Sequence, residues 1–134
     1  ELLQQNDAHV VSDNTGFGTR AADVLICEDG DPLEAIINYY FEEKPAATRQ
    51  MGTQVERMER LLDLVKQYKA DGVVASRLYM CDLWAFEHFL MRKRLHENNV
   101  PFLELEVDYT PEGQGQIKTR VQAFVESLAD RQTA

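Results

Sequence analysis

At 134 residues, 44% hydrophobic and 28% charged, the chain has the size and composition of one folded domain with its own core, which excludes a disordered segment. A formal net charge of −9 argues against nucleic acid as the main partner, since phosphate backbones attract clustered Lys and Arg. No apolar run approaches the roughly 18 residues needed to span a bilayer, so no membrane role is expected. Two cysteines, Cys27 and Cys81, in an acidic chain without a secretory pattern read as reduced thiols of a cytoplasmic protein.

The opening Glu1-Leu2-Leu3-Gln4-Gln5 reads as the tail of a helix without an initiating Met, which predicts a C-terminal part of something longer, with a preceding strand missing. His9 to Asp13 is a short strand candidate that ends in a polar loop from Asn14 to Arg20. Asp31-Pro32-Leu33-Glu34 is a helix start: Asp31 can cap, Pro32 suits the first turn, and Glu34 stands at the capping-box position. The helix that follows sets Leu33, Ile36, Ile37, Tyr40 and Phe41 at the spacing of one face, and Pro45 closes it. A second helix, from about Gln54 to Tyr68, carries Val55, Met58, Leu61, Leu62, Val65 and Tyr68 as its apolar stripe.

Asp71-Gly72 is a turn into a short strand near residues 72–76, and a helix from about Asp82 to Asn98 follows it. Within that helix, Arg92-Lys93-Arg94 reads as a solvated basic face. Phe102 to Val107 is a strand whose alternating Leu and Glu suggest one partly solvated face, as at a sheet edge. After a turn-rich loop from Asp108 to Gly115, Ile117, Val121, Phe124, Val125 and Leu128 mark the last helix. Strands alternating with helices predict an α/β domain over residues 1–134, a parallel sheet with helices on both faces. The shape expected is flavodoxin-like, lacking its first strand.

In such sheets chemistry gathers at the carboxyl ends of the strands. Cys81 stands there, at the start of a helix with Asp82 as a candidate cap. Helix N-termini favour a thiolate through free N–H groups, and a metal cluster held there would gain the same stabilisation. Residue types alone favour a different reading, a small buried hydrophobe beside Leu83, Trp84 and Phe86. Cys27 lies away from these loops and reads as structural. Glu87 and His88, a turn inside the Cys81 helix, carry no assigned role. Gly16 and Gly18 read as turn glycines, since no dinucleotide or P-loop fingerprint accompanies them.

The order of the motifs is more specific than any one of them. Asp13, Gly18-Thr19-Arg20, Asp31-Pro32-Leu33-Glu34, Tyr39-Tyr40, Asp71-Gly72-Val73-Val74 and Cys81-Asp82 follow one another. Then come Val100-Pro101-Phe102-Leu103-Glu104-Leu105-Glu106-Val107-Asp108, Gly115-Gln116-Ile117-Lys118-Thr119-Arg120 and Ala123-Phe124. Over nearly the whole chain this succession resembles the C-terminal third of subunits of the 2-hydroxyacyl-CoA dehydratase and benzoyl-CoA reductase family.

The resemblance implies two related α/β domains per subunit with an iron–sulfur cluster (4Fe–4S) held by cysteines between them. It makes Cys81 one metal ligand, with the others outside this chain. It places Arg20, Thr119 and Arg120 near the same edge without assigning them a step. It implies as partners the remainder of the subunit, a homologous second subunit, an ATP-hydrolysing activator protein and an acyl-CoA substrate. The reaction it implies is one-electron reduction of the thioester carbonyl to a ketyl radical anion, followed by loss of water in dehydratases or ring reduction in benzoyl-CoA reductases. A double-cubane reductase of small molecules is an alternative within the family. A non-catalytic flavodoxin-like binding module is the contrasting class, although Asp13 and Asp108 are the only acidic residues available for a receiver-type site.

Overall fold

Backbone N–H and C=O groups must be paired wherever they are buried, so the chain settles into helices and one parallel strand pair. The computed structural model describes residues 2–16, 18–21, 24–43, 52–110 and 114–133. In chain order these form helix α1 (Pro32–Asn38) running on into a π-helical turn (Tyr39–Glu43), α2 (Gln54–Gln67), β1 (Val73–Leu78), α3 (Asp82–Glu97), β2 (Phe102–Val107) and α4 (Gln114–Thr133). Short 3-10 turns occupy Gln4–Asn6 and Thr19–Ala21.

The start of α1 follows the expected chemistry. Asp31 Oδ1 accepts from the Leu33 and Glu34 N–H groups at 2.8 and 3.2 Å, and Pro32 fills the first helical position, where an N–H would lack a partner anyway. Pro45, expected to close this helix, lies outside the described residues.

β1 and β2 pair in parallel from Val73 with Phe102 to Leu78 with Val107. Val73 N–H donates to Pro101 O and Tyr79 N–H to Val107 O, each at 2.9 Å, so the ladder continues past both ends. Side-chain alternation then divides the core in two. On one face α2 and α3 bury Met58, Leu61, Leu62, Met91 and Leu95 against Val73, Ala75, Trp84 and Phe102. On the other, Leu103, Leu105 and Val121 pack with Val74, Ile117, Phe124, Leu2 and Leu3. Helices therefore cover both faces, as expected. The tight turn at Gly72 matters to this second face, because a Cβ there would stand 2.8 Å from the Phe124 ring.

Two expectations are corrected. His9–Asp13 forms no strand: Val10 and Val11 are 58% and 50% exposed, and the segment pairs with neither β1 nor β2. A strand exists only through a partner's N–H and C=O groups, and Asp13 instead spends its carboxylate on the turn that follows. The face predicted for α1 is also not interior. Leu33, Ile36, Ile37, Tyr40 and Phe41 are all exposed, and Tyr39 is the buried residue of this segment. In α2, Met58, Leu61 and Leu62 are buried as expected, while Val55 at the N-terminal end is exposed.

Candidate functional site

The carboxyl ends of β1 and β2 open onto the loop that carries Cys81. After Leu78 the chain turns through Tyr79 and Met80, and Met80 holds a left-handed φ of 61°. That conformation costs a residue with a Cβ about 1–2 kcal/mol, so the turn is held by its surroundings. The Cys81 N–H closes it by donating to Leu78 O at 3.2 Å.

Cys81, not Asp82, is the N-cap of α3. Its backbone is extended (φ −89°, ψ 91°), and its carbonyl accepts the first helical bond from Ala85 N–H at 2.9 Å. No side-chain hydrogen bond caps the helix. Cys81, half-buried, thus stands at the N-terminus of a helix whose first turn no side chain caps, an end that favours negative charge. In the same loop and the first turns of α3, Tyr79, Met80, Leu83 and Phe86 are all more than half exposed, as is Tyr109 beyond the end of β2.

A polar cluster lies deeper, on the face covered by α3. Glu104 of β2 receives Arg77 Nε at 3.1 Å and is also paired with Arg92, while Arg77 reaches on to Glu106. His88 is fully buried between the Trp84 and Phe102 rings, with centroids at 5.9 and 6.2 Å. Its Nδ1 lies 3.4 Å from Glu104 Oε1, too poorly placed for a hydrogen bond, so neither ring nitrogen has a hydrogen-bond partner among the described residues. Burial lowers the His88 pKa, and the Glu104 carboxylate opposes that shift. Burial alone would raise Glu104, but the Arg77 and Arg92 guanidinium groups outweigh it and hold the carboxyl below its usual range.

The alternating Leu and Glu of β2 had suggested a partly solvated edge. Among the described residues β2 is an edge strand with Glu104 and Glu106 half-buried, as expected. Both glutamates also meet arginines from β1 and α3, and the signal for this was the matching Arg77 at the same parity on β1. Arg92 is likewise drawn to Glu104, and Arg94 lies 3.6 Å from Glu97, so two of the three residues in the basic run have carboxylate partners.

The first loop is a knot around Asp13. Its Oδ1 accepts from Thr15 N–H at 3.1 Å, Thr15 Oγ1 at 2.9 Å and Thr19 N–H at 3.1 Å, and these bonds, the Thr15 backbone first, hold its pKa low. Thr19 Oγ1 donates to Asp13 O. A Cβ at Gly18 would fall 1.9 Å from Asp13 Oδ1, so glycine is required for this closure. Arg20 follows in the 3-10 turn. Thr119 Oγ1 donates to Gly115 O within α4, and Arg120 reaches Glu104 O at 2.7 Å. None of these contacts involves Cys81. Cys27 is exposed, its Sγ 3.8 Å from Asp29 O, so the structural role expected for it does not rest on burial. Among the described residues no three His, Cys, Asp or Glu side chains gather in a way that could hold a metal ion, and no helix is long and apolar enough to cross a membrane.

A parallel strand pair flanked by helices, with a thiol at its carboxyl edge, defines a small α/β domain. Comparison with known proteins makes this specific. The family model for the 2-hydroxyglutaryl-CoA dehydratase D-component matches residues 1–128. The chain is 28% identical over 127 residues to the putative dehydratase subunit YjiM of Escherichia coli (strain K12), covering 94% of this chain and 32% of that protein. It is 24% identical over 132 residues to the (R)-phenyllactyl-CoA dehydratase beta subunit of Clostridium sporogenes, covering 96% and 34%. It is 32% identical over 136 residues to the (R)-2-hydroxyglutaryl-CoA dehydratase subunit beta of Acidaminococcus fermentans, covering 96% and 35%. The chain belongs to the 2-hydroxyglutaryl-CoA dehydratase D-component family. It spans about a third of the length of the curated relatives it matches.

Proposed function

We propose that this chain is the C-terminal domain of a 2-hydroxyacyl-CoA dehydratase subunit, and that Cys81 supplies one thiolate to a 4Fe–4S cluster completed by residues outside it. The observation that carries this reading is the placement of Cys81: a half-buried thiol at the cap of α3, at the carboxyl edge of both strands. The donor set fits one ligand of such a group. A cubane takes about four ligands, mostly thiolates, and the chain has two cysteines, so the rest must come from elsewhere. A flavodoxin-like sheet would be completed in the same way, by strands from the remainder of the subunit.

The cluster, when bound, would supply a low-potential electron to the acyl-CoA thioester, delivered by an ATP-dependent activator. This chain's own residues do the positioning. Cys81 offers a soft anionic sulfur, and the α3 amides beside it stabilise negative charge there. The left-handed turn at Met80 sets the direction in which that sulfur leaves the sheet. The exposed apolar side chains of Tyr79, Met80 and Leu83, next to Cys81 in sequence, would exclude water from this edge once it is covered, which strengthens electrostatic contacts there. The reaction class is loss of water from an acyl-CoA bearing a hydroxyl beside the thioester carbonyl, with a homologous second subunit as partner.

The test uses the two thiols of the intact protein. Cys81→Ser is expected to lose most of its iron and sulfide and its dehydratase activity, because a hydroxyl is a hard, poor ligand for cluster iron. Cys27→Ser is expected to keep both near wild type, since its side chain is exposed. The comparison is made at matched thermal stability by iron analysis and EPR. A normal cluster and full turnover in Cys81→Ser would defeat the assignment.

A further inference from the structure

His88 is fully buried, whereas His9 and His96 are exposed. Neither of its ring nitrogens has a hydrogen-bond partner among the described residues, and Nδ1 stands 3.4 Å from Glu104 Oε1. Cys81, Trp84, His88, Met91 and Leu95 share the inward stripe of α3. Cys81 and His88 are two turns apart on the same side of that helix, roughly 10 Å along an axis that rises about 1.5 Å per residue.

The other charged groups facing His88 already have partners. Arg57 of α2 holds Glu87 of α3. Arg77 of β1 meets Glu104 and Glu106 of β2, and Arg92 of α3 also meets Glu104. Guanidinium groups stay charged and carboxylates ordinarily titrate near about pH 4, so around neutrality only the imidazole of this cluster can change its charge.

We propose that His88 is the redox-linked proton site of the Cys81 centre: its imidazole takes up one proton when one electron arrives there and releases it on oxidation. The proposal rests on the reading of Cys81 as a ligand of an iron–sulfur cluster. The electron comes from a one-electron donor. The proton comes from solvent by way of the Glu104 carboxylate, whose side chain is 17% exposed, and passes to Nδ1, so the net charge of the domain is unchanged. Burial holds the imidazole below its ordinary pKa, which leaves it neutral at pH 7 before the electron arrives. Charges away from water are screened little, and negative charge two turns away on the same face then favours the imidazolium. By linkage, a proton on His88 eases the arrival of the electron to the same degree. In this role His88 tunes the potential through its charge alone.

The test is made on the intact subunit with its cluster, by EPR-monitored redox titration from about pH 5.5 to about pH 8, a range that brackets the ordinary histidine value. Proton uptake on reduction is read in parallel with an indicator dye in weak buffer. The wild-type potential is expected to fall as pH rises, with uptake of up to one proton per electron. His88→Leu, which fills the same space without titrating, is expected to lose both effects while iron content and circular dichroism stay near wild type. Glu104→Gln keeps the imidazole and removes the carboxylate that favours its proton, so the pH-dependent window is expected to move to lower pH. This second variant carries the test if His88→Leu fails to fold. A slope retained in His88→Leu, a window unmoved in Glu104→Gln, or a wild-type potential independent of pH would each overturn the proposal and leave the Cys81 assignment standing. An intact subunit that holds no iron would defeat the dehydratase reading, and the proposal with it.

Discussion

His88 and Glu104 are the residues at which burial and charge oppose each other most directly. The imidazole sits at 0% exposure with no hydrogen bond, and its pKa is lowered chiefly by that burial. Arg77, Arg92 and Glu106 surround the carboxylate beside it, and Glu87 precedes it on α3. An unfolded histidine takes up its proton near pH 6.5. Between that pH and the lower folded value the unfolded chain binds more protons, so stability rises with pH across this window. The His88 contribution is fully present above about pH 6.5 and is lost as pH falls through the folded pKa. Glu104, also lowered, contributes above about pH 4.3, and that contribution is lost as pH falls further. The urea midpoint of the chain is therefore expected to drop from pH 7 to about pH 5 with proton uptake on unfolding. His88→Leu should flatten that window and keep the Glu104 slope at lower pH. An unchanged slope in His88→Leu would show that other groups carry it.

At the scale of elements, α2 and α3 are locked by more than apolar contact. Arg57 Nε and Nη2 meet Glu87 Oε1 and Oε2 at 2.8 and 2.9 Å, a bidentate pair with side chains 9% and 5% exposed. Removing one partner strands a buried charge, so Glu87→Leu alone is expected to cost about 3–5 kcal/mol in denaturant unfolding. Arg57→Met with Glu87→Leu should recover most of that loss, because two apolar side chains replace both charges and their desolvation cost together. A double variant as unstable as the single would mean that Arg57 matters chiefly through its other partner, Thr53. Neither residue stood out in the sequence. Glu87 belongs to a helix that is apolar on two sides: Trp84, Met91 and Leu95 turn inward, while Leu83, Phe86 and Phe89 remain exposed. Periodicity finds such a helix and its ends, which fall at Asp82 and Glu97 close to expectation, but it cannot say which side faces the chain's own sheet.

At the scale of the whole molecule, among the described residues the two-stranded sheet has two open edges, and apolar side chains of α1, α3 and the Cys81 loop are exposed. Its two cores are real but small. A molecule of this form offers one thiol at the carboxyl edge of the strands and a second, Cys27, on the exposed stretch before α1. Anaerobic reconstitution of the 134-residue chain with iron and sulfide is accordingly expected to fall well short of one cubane per chain, measured by metal analysis. Stoichiometric uptake by a monomer would mean that Cys81 shares its cluster with nothing outside this domain, and the proposed division of ligands would be wrong.

Local chemistry was legible in the residues themselves. The Asp31-Pro32 helix start, the Asp71-Gly72 turn, the span of β2 and the stripe of α4 all follow from interactions within a few positions along the chain, and the order of motifs pointed to the family. What depended on distant partners was not legible. His9–Asp13 has strand composition and no strand, because pairing belongs to two segments and not to one. The α1 face has core periodicity and no core, because periodicity records that a side chain is to be buried and not against what. The Arg77–Glu104–Arg92 and Arg57–Glu87 contacts join residues 12 to 30 positions apart. Only the tertiary structure brings them together, since low dielectric and exclusion of water, which make such pairs matter, arise when the helices close on the sheet.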